Sequence, residues 1–458
     1  MFIFNTLSGQ KEDLNKALGG KKEVCLFVCG PTVYNYIQIG NARTYAAFDL
    51  IVRYLRDRGW DVFYLQNITD IDDKIIRRAN EQGIRPEQLA KKYEAAYHED
   101  ERRLNIASVS KYARAAGHIK EIVQQIQSLI DKGHAYKIEN DGYYFDISTF
   151  PDYGKLAKRT ALQAEDSVSR IDESVNKKNK GDFALWKFSK DGEPYWDTPL
   201  GRGRPGWHIE DTAISEKHFG PQYDLHGGGL DLKFPHHEAE IAQQESASGK
   251  KPFVKIWMHA GFLNLGGDKM SKSRGGFITV REFLVNHPAA VFRYLVASHH
   301  YRSPMDYSDE LAAQSENSLK TIYQFLAKLE KSSGKLGAAE HLAAADKKFT
   351  ESMDDDFNTP SALAAIFELI NEVNPKIWGI DKKSATDIGK WVKNNLEVLG
   401  IRPELPKIPL KIRFLSWKRE LSRRSKQFVK SDFLRKQIEA LGYIIEDTPT
   451  GPFIWPAK

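Results

Sequence analysis

Apolar positions occur as short runs near the start of the chain and as helical stripes towards its end. Val24 to Val28 is an apolar run that closes on Cys29-Gly30-Pro31, and Trp60 to Leu65 is a second. Between them, Arg43 to Leu55 places Phe48, Ile51, Val52 and Leu55 on one helical face. Strand, helix and strand in that order form the first unit of a parallel α/β sheet. Such sheets bind ligands beyond the carboxyl ends of their strands. Cys29 and Gln38 to Asn41 fall at that edge.

The segment 66–111 reads as helical and charged. Ile119, Ile122, Val123, Ile126, Leu129 and Ile130 then mark an amphipathic helix closed by Gly133. Tyr143 to Ile147 reads as a strand and 165–181 as a polar loop. Strand signals resume at Gly206 to Ile209, Asp224 to Leu225 and Lys255 to His259, so the sheet is expected to be interrupted by an insertion and then completed. Beyond residue 312 the period is helical. Leu319, Ile322, Tyr323, Leu326 and Leu329 form one stripe, and Leu363, Ile366, Phe367, Ile370 and Val373 form another, begun by Thr359 as N-cap with Pro360 behind it. A proline-punctuated stretch, Arg402 to Pro409, precedes a last small domain.

Composition narrows the class. The two cysteines, Cys25 and Cys29, are four apart in one strand region, which excludes a disulfide framework. No run reaches the ~18 apolar residues of a membrane span, and MFIFNTLSGQKEDLN has no basic flank before an apolar core, so a soluble cytoplasmic protein is expected. Net charge is +6, but residues 401–458 hold 13 Lys and Arg against 6 Asp and Glu, leaving the first 400 residues at −1. A basic tail of this kind is either a polyanion contact or a solvated surface, and charge alone does not choose.

Two stretches carry candidate chemistry. GGDKMSKSRGG, 266–276, sets Lys269 and Lys272 three apart with Ser271 and Ser273 between paired glycines, a loop able to close two ammonium groups over a polyphosphate. In HGGGLDLKFPHHEAEIA, 226–242, three glycines including Gly228 and Gly229 let backbone approach a ligand, and Asp231 can accept from ribose hydroxyls. Pro235 opens a helix on which His236 and Glu240, four apart, share a face and can bind one metal.

Lys269-Met270-Ser271-Lys272-Ser273 is letter for letter the second ATP motif of class I aminoacyl-tRNA synthetases. The chain as a whole resembles the bacterial cysteinyl-tRNA synthetases, nearly end to end. The likeness is carried by CGPTVY (29–34), NITDIDDKI (67–75), DFALWK (182–187), GRPGWHIE (203–210), HGGG, FPHHEAE, KMSKS, MDDDFNTPSAL (353–363) and EDTPTGP (446–452). The resemblance implies an α/β fold: a Rossmann-type parallel sheet split by an insertion, then an all-α helical bundle and a small C-terminal domain. On this basis 1–111 and 203–262 are the two halves of the catalytic domain, 112–202 the connective insertion, 263–312 the stem-contact region with the KMSKS loop, 313–400 the bundle and 401–458 the anticodon-recognising domain.

The same resemblance implies a cysteine-tRNA ligase that uses ATP with Mg²⁺, acts on L-cysteine and the cysteine tRNA, and works as a monomer away from membranes. It implies one Zn²⁺ per chain that binds the substrate thiolate, with ligands falling on Cys29, Asp211, His236 and Glu240. Asp211 departs from the family, which has cysteine after GWHIE. Aspartate keeps the anionic charge but is a harder donor, so zinc should be retained in a weakened site. The first ATP motif departs too: Gln38-Ile39-Gly40-Asn41 stands where the family has His-Ile-Gly-His. Amides still donate N–H to phosphate oxygens, and Gly40 still admits the adenine ring, so a working site of altered rate is expected. Lys269 and Lys272 would hold the phosphates and Gln38 and Asn41 assist, while Thr32, Thr69 and Trp207 shape the amino-acid pocket.

Two other readings are open. A related ligase could pass cysteine to a small amine, as in mycothiol biosynthesis, and a non-catalytic paralogue could bind tRNA or nucleotide only. The basic tail favours tRNA, with Trp417, Phe428 and Phe433 as base-stacking candidates, although core packing is expected to take at least two of these three.

Overall fold

The computed structural model describes residues 1–158, 176–265, 268–269 and 277–457. Its chain divides into two compact units, 1–308 with 354–358, and 309–353 with 359–458. In the first unit five parallel strands lie in the order Val254–Ala260, Tyr223–Gly229, Glu23–Val28, Asp61–Ile68, Lys111–Arg114. The chain order reverses beside Glu23–Val28, so the crevice expected at a switch point opens between Cys29-Gly30 and Gly227 to Gly229. The strand containing the triple glycine extends further than its sequence suggested. A Cβ on Gly227 would meet Phe48 at 2.3 Å, and one on Gly228 would meet His237 at 2.8 Å. Bare backbone here is what lets a helix and an imidazole close on the sheet.

The helix that follows the first strand runs Ile39–Asp57 and is buried almost all round, wider than the one-faced stripe the sequence indicated. Inside it, Arg43 is buried and donates to the carbonyls of Gly261, Phe262 and Ser303, which fixes the end of the last sheet strand against the helix. Asp49 pairs with Arg293 and Arg53, and these guanidiniums hold its carboxyl below the usual range against the opposing effect of burial. Helices Asp73–Gln82 and Pro86–Arg103 follow the second strand.

Four antiparallel strands form the insertion sheet: Ala135–Ile138, Gly142–Phe145, Phe183–Phe188 and Gly203–Pro205. The strand expected at Gly206 to Ile209 is therefore displaced. It ends at Pro205 in this sheet, and the helix Ile209–Phe219 begins where the fourth expected residue stood. The turn segment Gly206 to His208 instead aims Trp207 and His208 towards the crevice and the buried histidines. Most of the polar stretch 165–181 lies outside the described residues.

MDDDFN serves the first unit as a clamp. Asp356, in a left-handed conformation, accepts from the Phe4 amide, Tyr301 Oη and Arg302 Nε at 2.8, 2.9 and 2.7 Å, and Asp354 accepts from Tyr54 Oη.

The second unit is helical. Asp309–Lys331, Ala339–Asp354, Thr359–Val373 and Lys382–Val398 bury the apolar stripes read from sequence, including Leu319, Ile322, Leu326, Leu363, Ile366 and Ile370. Its end is the helix pair Leu410–Arg424 and Phe428–Ala440 with the hairpin Tyr443–Thr448 and Gly451–Pro456, around Ile412, Ile438 and Ile445. Asp447 of EDTPTGP is gripped by Arg419 at 2.6 and 2.9 Å and by Arg423 and Arg435, which depress its carboxyl pKa. The expectation that at least two of Trp417, Phe428 and Phe433 pack in a core is overturned: they are 56%, 60% and 61% exposed. The domain is too small to cover both faces of its two helices. Among the described residues no helix is long and apolar enough to cross a membrane.

Candidate active site and metal cluster

A cavity of about 650 Å³ opens at the switch point, lined by Cys29, Thr32, Gln38, Gly40, Asn41, Thr69, Trp207, Asp211, Gly229, Asp231 and His236 among others. The structure thus brings together most of the residues singled out in the sequence. Glu240 lies behind the wall, wholly buried, and Gly228 backs onto His237. Lys269 enters as part of the two-residue strand Asp268–Lys269, paired with Leu263–Leu265 at the rim. Ser271 and Lys272 lie outside the described residues.

One side of the cavity is built on a helix start. Gln38 is the N-cap of Ile39–Asp57, its side chain makes no cap bond, and Gly40 and Asn41 occupy the first turn at the cavity wall. A helix N-terminus offers unsatisfied N–H groups and a positive dipole end to anions. The stretch that follows the KMSKS loop is stitched to this start: the Ile39 amide donates to Ile278 O at 3.0 Å, the Val280 amide to Ile37 O at 3.0 Å, and Gln38 bridges Thr279. Residues 37–39 and 278–280 therefore share one hydrogen-bonded strip.

Deeper in, donors converge. The ligand atoms of Cys29, Asp211, His236 and Glu240 all lie within 4.8 Å of one another. His236 Nε2 is 3.0 Å from Asp211 Oδ2 and 3.0 Å from Glu240 Oε1, while its Nδ1 meets His208 Nδ1 at 2.7 Å. Asn67 of the NIT stretch is the hub between strand and helix. Its Oδ1 accepts from the Gly30 amide at 2.6 Å, and its Nδ2 donates to Asp211 Oδ1 at 2.6 Å. Thr69 Oγ1 donates to Glu210.

The chemistry of this set fits a cation. Burial first, then the Glu240 and Asp211 carboxylates, push the Cys29 thiol well up, and burial with Asp211 does the same to Glu240. Burial holds His208, His226 and His237 neutral, and drives His259 down to about 3. Glu240 Oε2 has no hydrogen-bond partner despite complete burial. Anions crowded against neutral imidazoles, with an orphaned carboxylate oxygen, are stabilised together by a divalent ion and poorly without one.

Against known sequences, a family model described as the tRNA synthetases class I (C) catalytic domain matches residues 16–317, and one described as the DALR domain matches 348–402. A Thermococcus onnurineus protein named cysteine-tRNA ligase is 42% identical over an alignment of 475 residues, covering 99% of this chain and 98% of its own length. The chain belongs to the cysteine-tRNA ligase family of class I synthetases. A Hahella chejuensis cysteine-tRNA ligase is likewise 42% identical, with 98% of each chain covered. Solved structures carry the fold alone. Mycobacterium tuberculosis methionyl-tRNA synthetase with methionyl-adenylate superposes with a TM-score of 0.61 at 18% identity, over 83% of this chain and 92% of that one. The Agrobacterium radiobacter K84 agnB2 LeuRS complex with tRNA and LeuAMS gives 0.61 at 11%, over 84% of each.

Sequence reading missed several members of the site of this cysteine-tRNA ligase family member. His208, His226, His237 and His259 are buried imidazoles around this site, and Asn67 donates to both Glu210 and Asp211. His208, His226 and His237 stood inside quoted motifs, but their convergence depends on the crossing of the sheet strand by the helix His236–Ser248. His259 had only strand alternation to mark it.

Proposed function

We propose that this chain activates L-cysteine with ATP and transfers the cysteinyl group to the terminal adenosine of a cysteine tRNA. The observation that carries the reading is one cavity whose wall joins a helix-start anion site to a buried sulfur, nitrogen and oxygen donor set. The cysteine carboxylate oxygen attacks the α-phosphorus, the bond to the pyrophosphate oxygen breaks, and an acyl adenylate forms. A ribose hydroxyl of the tRNA then attacks the acyl carbon, AMP departs, and the hydroxyl proton leaves to solvent.

Cys29, Asp211, His236 and Glu240 would hold one Zn²⁺, which when bound supplies a Lewis acid able to take the substrate sulfur as thiolate. Aspartate at 211 makes this holder harder than a two-thiolate one and lowers its zinc affinity. Lys269 and Lys272 hold the phosphates of ATP, which binds with Mg²⁺. Gln38 and Asn41 donate N–H to them, with smaller stabilisation than a cationic imidazole would give. Gly40, Gly228, Gly229 and Ser271 leave or line the nucleotide space, and Asp231 accepts from the ribose. Thr32, Thr69 and Trp207 bound the amino-acid side.

The exposed aromatic and basic tail supports tRNA rather than a small amine as acceptor. Base stacking contributes ~1–3 kcal/mol per base, so Trp417→Ala should weaken cysteine-tRNA binding by about 5- to 150-fold. Cysteine-dependent exchange of pyrophosphate with ATP should be unchanged, because the ATP motifs lie elsewhere. Electrophoretic titration of labelled tRNA measures the first; undiminished affinity in all three single variants, with Phe428→Ala and Phe433→Ala, sets this role aside. Charging of a cysteine tRNA transcript with radiolabelled cysteine tests the whole reaction. Adenylate formation without charging favours the small-amine ligase, and tRNA binding with neither favours the non-catalytic reading.

A further inference from the structure

Behind the pocket wall Cys29 and Glu240 belong to a second group of donors. Cys29 Sγ lies 3.3 Å from His226 Nε2 and 3.2 Å from His237 Nε2. The ligand atoms of Cys29, His226, His237 and Glu240 all fall within 4.8 Å of one another, as do those of the pocket-facing set. Glu240 offers one oxygen to each. Its Oε1 is 3.0 Å from His236 Nε2, and its Oε2, which makes no hydrogen bond, is 3.6 Å from His226 Nε2.

The two inner imidazoles are braced from outside. His226 Nδ1 is 2.6 Å from Tyr223 Oη; His237 Nδ1 is 2.8 Å from His259 Nε2, whose own Nδ1 is 2.9 Å from Thr6 Oγ1. In both rings the far nitrogen is engaged and the near one faces the sulfur. Metal-ligating imidazoles are oriented in this manner.

The two sets differ in access and in softness. Cys29, Asp211 and His236 line the cavity, whereas His226 and His237 do not. The inner set offers one sulfur, two nitrogens and one oxygen; the outer offers one sulfur, one nitrogen and two oxygens. Zinc favours sulfur and imidazole over carboxylate at equal geometry, so aspartate at 211 handicaps the outer set alone. Because Cys29 and Glu240 are shared, one ion takes one set or the other.

We propose that His226 and His237, with Cys29 and Glu240, form an enclosed second seat for a borderline-soft divalent cation, preferred over the pocket-facing seat while no substrate is bound. The inference rests on the reading of this chain as a zinc-dependent cysteine-activating enzyme. Zinc K-edge absorption on the substrate-free, zinc-loaded protein needs no variant: the expected shell is two imidazoles and one sulfur. One imidazole with one sulfur, or no bound zinc, overturns it. In chelator competition, His226→Gln should weaken zinc binding by about 10- to 100-fold, and Asp211→Asn by less than about threefold. The reverse ranking overturns the proposal. Asp211→Cys should convert the shell to two sulfurs and one imidazole, and a retained two-imidazole shell overturns the preference assigned to position 211. Exchange activity on the same preparations reads the functional assignment separately. A two-imidazole shell without exchange contradicts that assignment and supports the seat, while exchange with a one-imidazole shell contradicts the seat alone.

Discussion

Cys29→Ala is expected to reduce bound zinc to trace and to lower cysteine-dependent exchange of pyrophosphate with ATP by at least about 10³-fold. Cys29 is the one sulfur donor of both overlapping ligand sets, so its loss leaves neither with a soft anion. Lewis-acid stabilisation is worth several kcal/mol, and each 1.36 kcal/mol is tenfold in rate. The fold should survive, because the Cys29 amide, which donates to Gly227 O at 3.1 Å, is retained in the variant. Metal analysis by mass spectrometry with parallel exchange kinetics checks both halves. Full zinc content in the variant removes Cys29 from the ligand set.

Lys272→Ala should slow adenylate formation by roughly 10²- to 10³-fold, the usual cost of losing one donor aimed at developing negative charge. Lys272 itself lies outside the described residues, but the ends of its loop do not. One end is Asp268–Lys269, paired to the strand Leu263–Leu265 that leaves the cavity wall, and the other is Ile278, bonded to the first turn of the Gln38 helix. A loop tied at both ends to the nucleotide side can bring an ammonium onto the phosphates at small entropic cost. Single-turnover measurement at saturating ATP separates this from weaker ATP binding; an unchanged rate rejects the assignment to Lys272.

Local period made the α/β start, the helical stripes at Leu319 and Leu363, and the split of the sheet legible. The crevice edge followed from the rule that parallel sheets bind ligands beyond the carboxyl ends of their strands, where Cys29 and Gln38 to Asn41 fall; the order reversal beside that strand is seen only in the fold. What sequence hid was lateral assembly. The strand expected at Gly206 to Ile209 as part of the parallel sheet proved to be Gly203–Pro205 in the insertion sheet, because so short a strand carries no signal of which sheet it joins. Trp417, Phe428 and Phe433 looked like core because aromatic spacing on a helix does not reveal whether anything covers that face. The imidazole cluster was hidden for a third reason. His226 and His237 meet across Gly228, and the room for that contact is a missing Cβ, which composition shows and spacing does not.

The two departures from the family pattern act on different halves of the site. Gln38 and Asn41 stand at the helix start, while Asp211 stands in the donor set about the sulfur of Cys29. In this chain Gln38 stands at the N-cap position without a side-chain cap bond, and Asn67 donates to Asp211 at 2.6 Å.

Activation of cysteine in this cavity should show as exchange of radiolabelled pyrophosphate into ATP by the zinc-loaded protein. Exchange should require cysteine and ATP together, proceed without tRNA, and be far weaker with serine at equal concentration. Zinc-loaded protein that binds ATP yet shows no exchange with cysteine, serine or any other amino acid would contradict it.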